Sequence, residues 1–128
     1  MARKKSPTLT EAELRLMDVL WNRRRATVGE VTEALPPPPI AYNTVLTTMR
    51  ILEQKGYVRH KEEGRAFVFE PLVEREEAAK SAVGQLLSKF FANNAGELAL
   101  RLVADKRPNA DELQRLKQLI EEYEEEGA

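Results

Sequence analysis

The chain has 128 residues, 42% of them hydrophobic and 32% charged, which suits one ordinary folded domain or a small domain carrying an oligomerisation arm. No window of about 18 apolar residues occurs, so nothing reads as a membrane span, and the basic start MARKKSPTL lacks the apolar stretch of a secretory signal. The absence of cysteine excludes disulfides and thiolate metal sites, and the protein is expected to be cytoplasmic.

A net charge of −1 conceals an asymmetry. Residues 1–71 carry 12 Lys and Arg against 9 Asp and Glu, a net +3, whereas residues 72–128 carry 8 against 12, a net −4. A basic front and an acidic back would let one end approach a polyanion. An excess of three is small, so the placement of the charges has to decide.

The first predicted element opens at Thr10-Glu11-Ala12-Glu13, a capping box in which the threonine and the glutamate three positions on satisfy free amides. Leu14, Met17, Leu20 and Trp21 follow at helical spacing and predict one buried face, ending near Asn22-Arg23-Arg24-Arg25. Thr27-Val28-Gly29-Glu30 repeats the capping logic, and Val28, Val31 and Leu35 form a short apolar stripe. Pro36 to Pro39 cannot continue a helix and form a stiff extended turn that sets the angle of the next one.

On a wheel of 100° per residue, Val45, Met49 and Leu52 of the third helix fall together and face a core. Asn43, Thr47, Arg50 and Gln54 fall opposite, flanked by Thr44 and Leu46. This outward face is short-chained and hydrogen-bonding, unlike the Glu/Lys surface of an ordinary solvated helix, and threonine is a mediocre helix former. Short hydroxyls would let the helix lie deep in a major groove, where threonine offers a hydrogen bond and a methyl and asparagine can pair with adenine. Taken alone, the face leaves a second reading open, a helix whose threonines are simply tolerated.

Gly56 caps this helix, and residues 57–61 and 66–70 read as two strands rich in aromatic and branched side chains. Glu62-Glu63-Gly64-Arg65 is the connecting turn, with Gly64 free to take positive φ. Lys61 and Arg65 stand where such a ribbon would meet phosphates, with Arg59 as a further basic group, while Glu62 and Glu63 count against a purely phosphate-seeking tip. His60, the single histidine, reads as an ordinary strand residue.

Beyond Pro71, Glu74 to Glu77 give an acidic first turn suited to a helix dipole. Ala78, Ala82, Leu86 and Phe90 form one i, i+4 row, and Ala79, Val83, Leu87 and Phe91 a second beside it. Asn93-Asn94-Ala95-Gly96 interrupts the pattern, and a short helix through Leu98, Leu100, Leu102 and Val103 follows. Asn109 and Glu112 make a box-like cap for the last helix, where Leu113, Leu116, Ile120 and Tyr123 keep a 3-4-3 spacing. Three helices over about 57 residues make a poor independent core. The apolar rows, with Leu86, Phe90, Phe91, Leu113, Leu116, Ile120 and Tyr123 as principal contacts, therefore predict burial against a second copy across a two-fold axis. The alternative is an arm that folds back on the front half. Glu121 to Glu126 read as a solvated end.

The segments LTEAELRLMDVLW (9–21), YNTVLTTMRILEQKG (42–56) and EGRAFVFEP (63–71) together resemble the BlaI/MecI/CopY penicillinase-repressor family, and the resemblance extends over nearly the whole chain. It implies a mainly α fold: an N-terminal winged helix-turn-helix over 1–71, made of three helices and a β-hairpin wing, and a C-terminal helical dimerisation arm over 72–128. It implies a dimeric repressor of inverted-repeat operators, often around a TACA…TGTA core. Asn43, Thr44 and Thr47 would read bases, and the candidate DNA-contacting set becomes those three with Tyr42, Arg50, Lys61 and Arg65. Relief by a membrane-bound sensor peptidase would fall at Arg101-Leu102, although the bond commonly cut in the family is Asn-Phe. Leu46 stands where several members carry a polar or basic side chain, and the missing cysteines exclude the copper-sensing motif of one branch.

No catalytic triad, carboxylate pair in an apolar cleft, phosphate-cradling glycine loop or metal constellation occurs, so no enzyme activity and no cofactor or metal are expected. A winged helix that docks on protein and leaves nucleic acid alone is the competing class. The polar face with Arg50 opposes it, and Leu46 and Ile51 lend it support.

Overall fold

The computed structural model describes residues 8–127; the basic start noted above, at residues 1–7, lies outside them. The elements run α1 (Glu11–Arg23), β1 (Ala26–Thr27), α2 (Val28–Ala34), α3 (Tyr42–Lys55), β2 (Val58–Glu63), β3 (Ala66–Pro71), α4 (Arg75–Phe91), α5 (Ala95–Lys106) and α6 (Ala110–Gly127). Three helices followed by a hairpin give the expected winged helix-turn-helix.

Both predicted capping boxes form. Glu13 N–H donates to Thr10 Oγ1 at 3.1 Å and Thr10 N–H to Glu13 Oε1 at 2.9 Å. Thr27 and Glu30 repeat the pair at 3.1 and 2.9 Å, so two of the otherwise orphaned amides at each helix start are satisfied. Gly56 ends α3 at φ 90°, a left-handed conformation that glycine adopts without steric cost, and Tyr57 N–H closes the turn on Leu52 O at 2.9 Å.

The core joins α1 (Leu16, Met17, Leu20), α2 (Val31) and α3 (Val45, Met49, Leu52) with Val58 and Phe69 of the sheet. Leu14 departs from the expected face. It is 43% exposed, and Leu16 is buried in its place. The buried stripe of α1 is centred on positions 13, 16, 17 and 20, which puts Leu14 at its edge near Trp21.

β1 is a two-residue strand with no sequence signal of its own. It pairs antiparallel with β3 (Ala26 opposite Phe69, Thr27 opposite Val68), making a three-stranded sheet in the order β1-β3-β2. β3 is thereby central, and both Val68 and Phe69 are buried where an isolated hairpin would bury only one face. The hairpin pairing extends to Glu63 opposite Ala66, so the loop is only Gly64-Arg65, with Gly64 at φ 63°. Arg15 donates to the carbonyls of Pro36 and Pro38 at 2.6 and 2.5 Å, which ties the proline turn to α1 and orients the entry to α3.

The segment entering α4 is fastened to α1. Trp21 Nε1–H donates to Val73 O at 2.8 Å, the Arg75 guanidinium lies 4.8 Å from the Trp21 ring and 2.6 Å from Asp18, and Arg24 bonds both oxygens of Glu74. The hydrogen bonds between the last pair, with opposite charge adding, raise Arg24 and lower Glu74 from their ordinary pKa values. Internal contacts divide the chain within α4: one compact unit runs to Gln85, and the second begins at Leu86. The sequence-based boundary stands earlier, at 71/72, because composition registers the change of charge and not these ties.

In the second unit, Ala92 and Asn93 take positive φ and break the helix, and Asn94 caps α5 by accepting Glu97 N–H at 2.9 Å. Asn109 and Glu112 form the expected box at the start of α6, at 3.0 and 2.8 Å. No side chain among residues 86–127 is buried. Among the described residues no helix is long and apolar enough to cross a membrane.

Candidate nucleic-acid interface

α3 is held from behind and open in front. Val45, Met49 and Leu52 are fully buried, while Tyr42, Asn43, Thr44, Thr47 and Arg50 are exposed. The opposed faces follow from the 3.6-residue period, and the buried one prevents the helix from rotating about its axis. Leu46, expected on the flank of the outward face, packs partly against the core. Its apolar support for a protein-docking surface is reduced accordingly, leaving Ile51 at 39% exposure.

The hydroxyls of the face are not equivalent. Thr47 Oγ1 donates to Asn43 O at 3.0 Å and Thr48 Oγ1 to Thr44 O at 2.8 Å, so these two present lone pairs and a methyl outward. Neither Asn43 nor Thr44 uses its side chain in a hydrogen bond among the described residues, so both can donate and accept toward a base edge.

The start of α3 supplies a feature that sequence reasoning passed over. Thr10, Thr27, Asn94 and Asn109 cap α1, α2, α5 and α6, but the N-cap of α3 is Ala41, which offers no side-chain acceptor. The first amides of α3 therefore remain free at the positive end of a helix dipole, an arrangement suited to a phosphate oxygen. Alanine at that position was the available signal.

The far end of α3 is anchored. Lys55 Nζ lies 2.7 and 3.0 Å from the two carboxylate oxygens of Glu13. Burial alone would raise the Glu13 carboxyl, but hydrogen bonds from Lys55 and Thr10 outweigh it and hold the group below its ordinary 4.5. His60 Nδ1 sits 2.9 Å from Glu53 and its ring rests 4.9 Å from Phe67 and 5.4 Å from Phe69, tying the ribbon to the last turns of α3. The carboxylate partner of His60 lies seven residues away and could not be read from ligand spacing.

The basic groups of the ribbon differ in freedom. Arg65 follows Gly64 at the tip, and neither it nor Arg50 makes an ion pair among the described residues. Lys61 lies 3.3 Å and Arg59 3.7 Å from Glu70. Arg25, in the loop between α1 and β1, pairs with Glu63, a contact the sequence did not suggest. No group of three or more His, Cys, Asp or Glu placed to hold a metal occurs among the described residues.

The penicillinase repressor family model matches residues 9–122. The chain belongs to the penicillinase repressor family. Within the family it is 26% identical over 121 residues to the penicillinase repressor of Bacillus licheniformis, covering 94% of each protein. It is 32% identical over 118 residues to the transcriptional regulator BlaI of Mycobacterium tuberculosis, covering 91% of this chain and 85% of that one. Among solved structures, the DNA-binding domain of the repressor BlaI aligns with a TM-score of 0.52 at 32% identity, over 59% of this chain and 93% of that domain.

Proposed function

We propose that the protein is a cytoplasmic transcriptional repressor that binds double-stranded operator DNA through α3 and the ribbon, as a homodimer on an inverted repeat. The observation that carries the reading is the exposed face of Asn43, Thr44, Thr47 and Arg50 on a helix whose opposite face is fully buried and whose first amides are uncapped. Family membership supports it, since the family model and the Bacillus licheniformis relative are both named penicillinase repressor. Asn43 and Thr44 read base edges, Thr47 supplies an acceptor and a methyl, Arg50 and Arg65 meet phosphates, and Tyr42 lies beside the uncapped helix start.

Thr44→Ala is expected to weaken operator binding by about 1–3 kcal/mol and binding to random duplex much less. Titration of both duplexes by fluorescence anisotropy measures the two losses. Equal losses would make Thr44 a positioning residue and not a reader. Absence of salt-dependent binding to any duplex would favour the docking-module reading.

The homodimer is supported by the unburied apolar rows of α4 to α6. One recognition helix reads few base pairs, and a second half-site adds the free energy that separates an operator from bulk DNA. Relief by a sensor peptidase at Arg101-Leu102 is the corresponding reading for induction. Both residues are exposed on α5, with Arg101 3.9 Å from Asp105. Helical backbone must unwind to enter a protease, and α5, which buries no side chain, is suited to local opening. Co-expression with a cognate peptidase is expected to give fragments whose masses place the cut at this bond. A cut elsewhere would reassign it.

A further inference from the structure

We propose that Glu70 is a brake on sequence-independent DNA binding, one carboxylate that occupies the two cations β2 would otherwise present to phosphates. The inference rests on the DNA-binding reading above and specifies how the ribbon serves it. In the antiparallel register Arg59 stands directly opposite Glu70, and Lys61 is the next residue of β2 on the same face, opposite Val68. Opposite and diagonal positions on one face are within reach of long side chains. Glu70 accordingly lies 3.7 Å from Arg59 Nε and 3.3 Å from Lys61 Nζ. Lys61 foremost, with Arg59 and Arg25 adding, holds the Glu70 carboxyl below its ordinary 4.5, so it is charged throughout the neutral range.

The consequence follows from how phosphate contacts work. They add affinity for every sequence alike and carry no information about bases. A repressor surrounded by bulk DNA gains from keeping that contribution small, because selectivity depends on the ratio of operator to random binding weighed against the number of competing sites. Arg25 is restrained in the same way by Glu63. Among the described residues of α3 and the ribbon, Arg50 and Arg65 make no ion pair, whereas Arg59 and Lys61 are both held by Glu70.

The test compares the full-length protein with Glu70→Gln, Lys61→Gln, their combination, and Glu122→Gln, which makes the same charge change on α6. Affinity for a random-sequence duplex is measured across a salt series. Glu70→Gln is expected to bind roughly 10-fold more tightly at low salt and to steepen the slope of log affinity against log salt by about 1 to 2, one step for each phosphate newly neutralised. Lys61→Gln alone is expected to change the slope little, yet to remove about one step in the Glu70→Gln background. Glu122→Gln is expected to match the wild type. An unchanged slope in Glu70→Gln, an equal gain in Glu122→Gln, or a full step lost by Lys61→Gln alone would overturn the proposal. Wild-type protein that binds no duplex in a salt-dependent way would instead overturn the DNA-binding reading on which it rests.

Discussion

Glu13→Ala is expected to lower the stability of the N-terminal unit by about 3 kcal/mol, seen as a fall of roughly 10–20 °C in the thermal midpoint. One carboxylate performs two tasks there. It accepts Thr10 N–H to cap α1, and it receives Lys55 Nζ from the last turn of α3, with Glu13 itself only 5% exposed. Removing it strips the reciprocal half of the α1 capping box and leaves an ammonium poorly solvated at the end of α3. Glu13→Gln keeps an oxygen for Thr10 and is expected to cost about half as much. The pH dependence separates the two tasks. The folded-state carboxyl titrates below its ordinary 4.5, so the contribution of the charge is fully present above that value and disappears as pH falls through the lower, folded one. Thermal melts of wild type and Glu13→Gln should therefore differ at neutral pH and converge in acid. A gap that persists undiminished below the folded-state titration would assign the loss to packing.

Leu116→Asp combined with Ile120→Asp is expected to leave a folded winged helix that sediments as a monomer. Both side chains belong to the apolar stripe of α6 and are partly exposed in the single chain, at 37% and 55%. A carboxylate at each position would have to be desolvated for two copies to associate, which a two-fold interface would suffer twice over. Operator affinity should then fall roughly a thousandfold, about 4 kcal/mol, as the second half-site is lost. Sedimentation paired with titration of a palindromic duplex checks both halves of the expectation. A double variant that keeps the dimer mass would move the joint away from α6. One that becomes monomeric but holds the palindrome as before would remove dimerisation from the mechanism.

What could be read before the structure was local chemistry. Thr10 with Glu13, Thr27 with Glu30 and Asn109 with Glu112 sit three residues apart, and the same amides are free at any helix start, so the pairs form as the spacing predicts. The two faces of α3 were equally legible, since period alone separates Val45, Met49 and Leu52 from Asn43, Thr47 and Arg50. What escaped was long-range. Glu13 carries its cap in the sequence, but Lys55 lies 42 positions away. β1 has no strand pattern and exists because β3 offers a free edge beside it. Leu14 and Leu16 are both plausible core residues on a wheel, and packing by the neighbouring elements chose the second. Within the candidate site the exposed polar face of α3 was visible, whereas the hold of Glu70 on Arg59 and Lys61 requires the strand register that only folding fixes.

The seam between α1 and the entry to α4 also provides a built-in optical reporter. The chain has one tryptophan, and Trp21 is nearly enclosed, bonded through its indole N–H to Val73 and covered by Arg75. Its emission therefore registers whether that helix remains seated. Loosening of the seam would admit water to the indole and shift the spectrum to longer wavelength, so the attachment can be followed in solution without any added label.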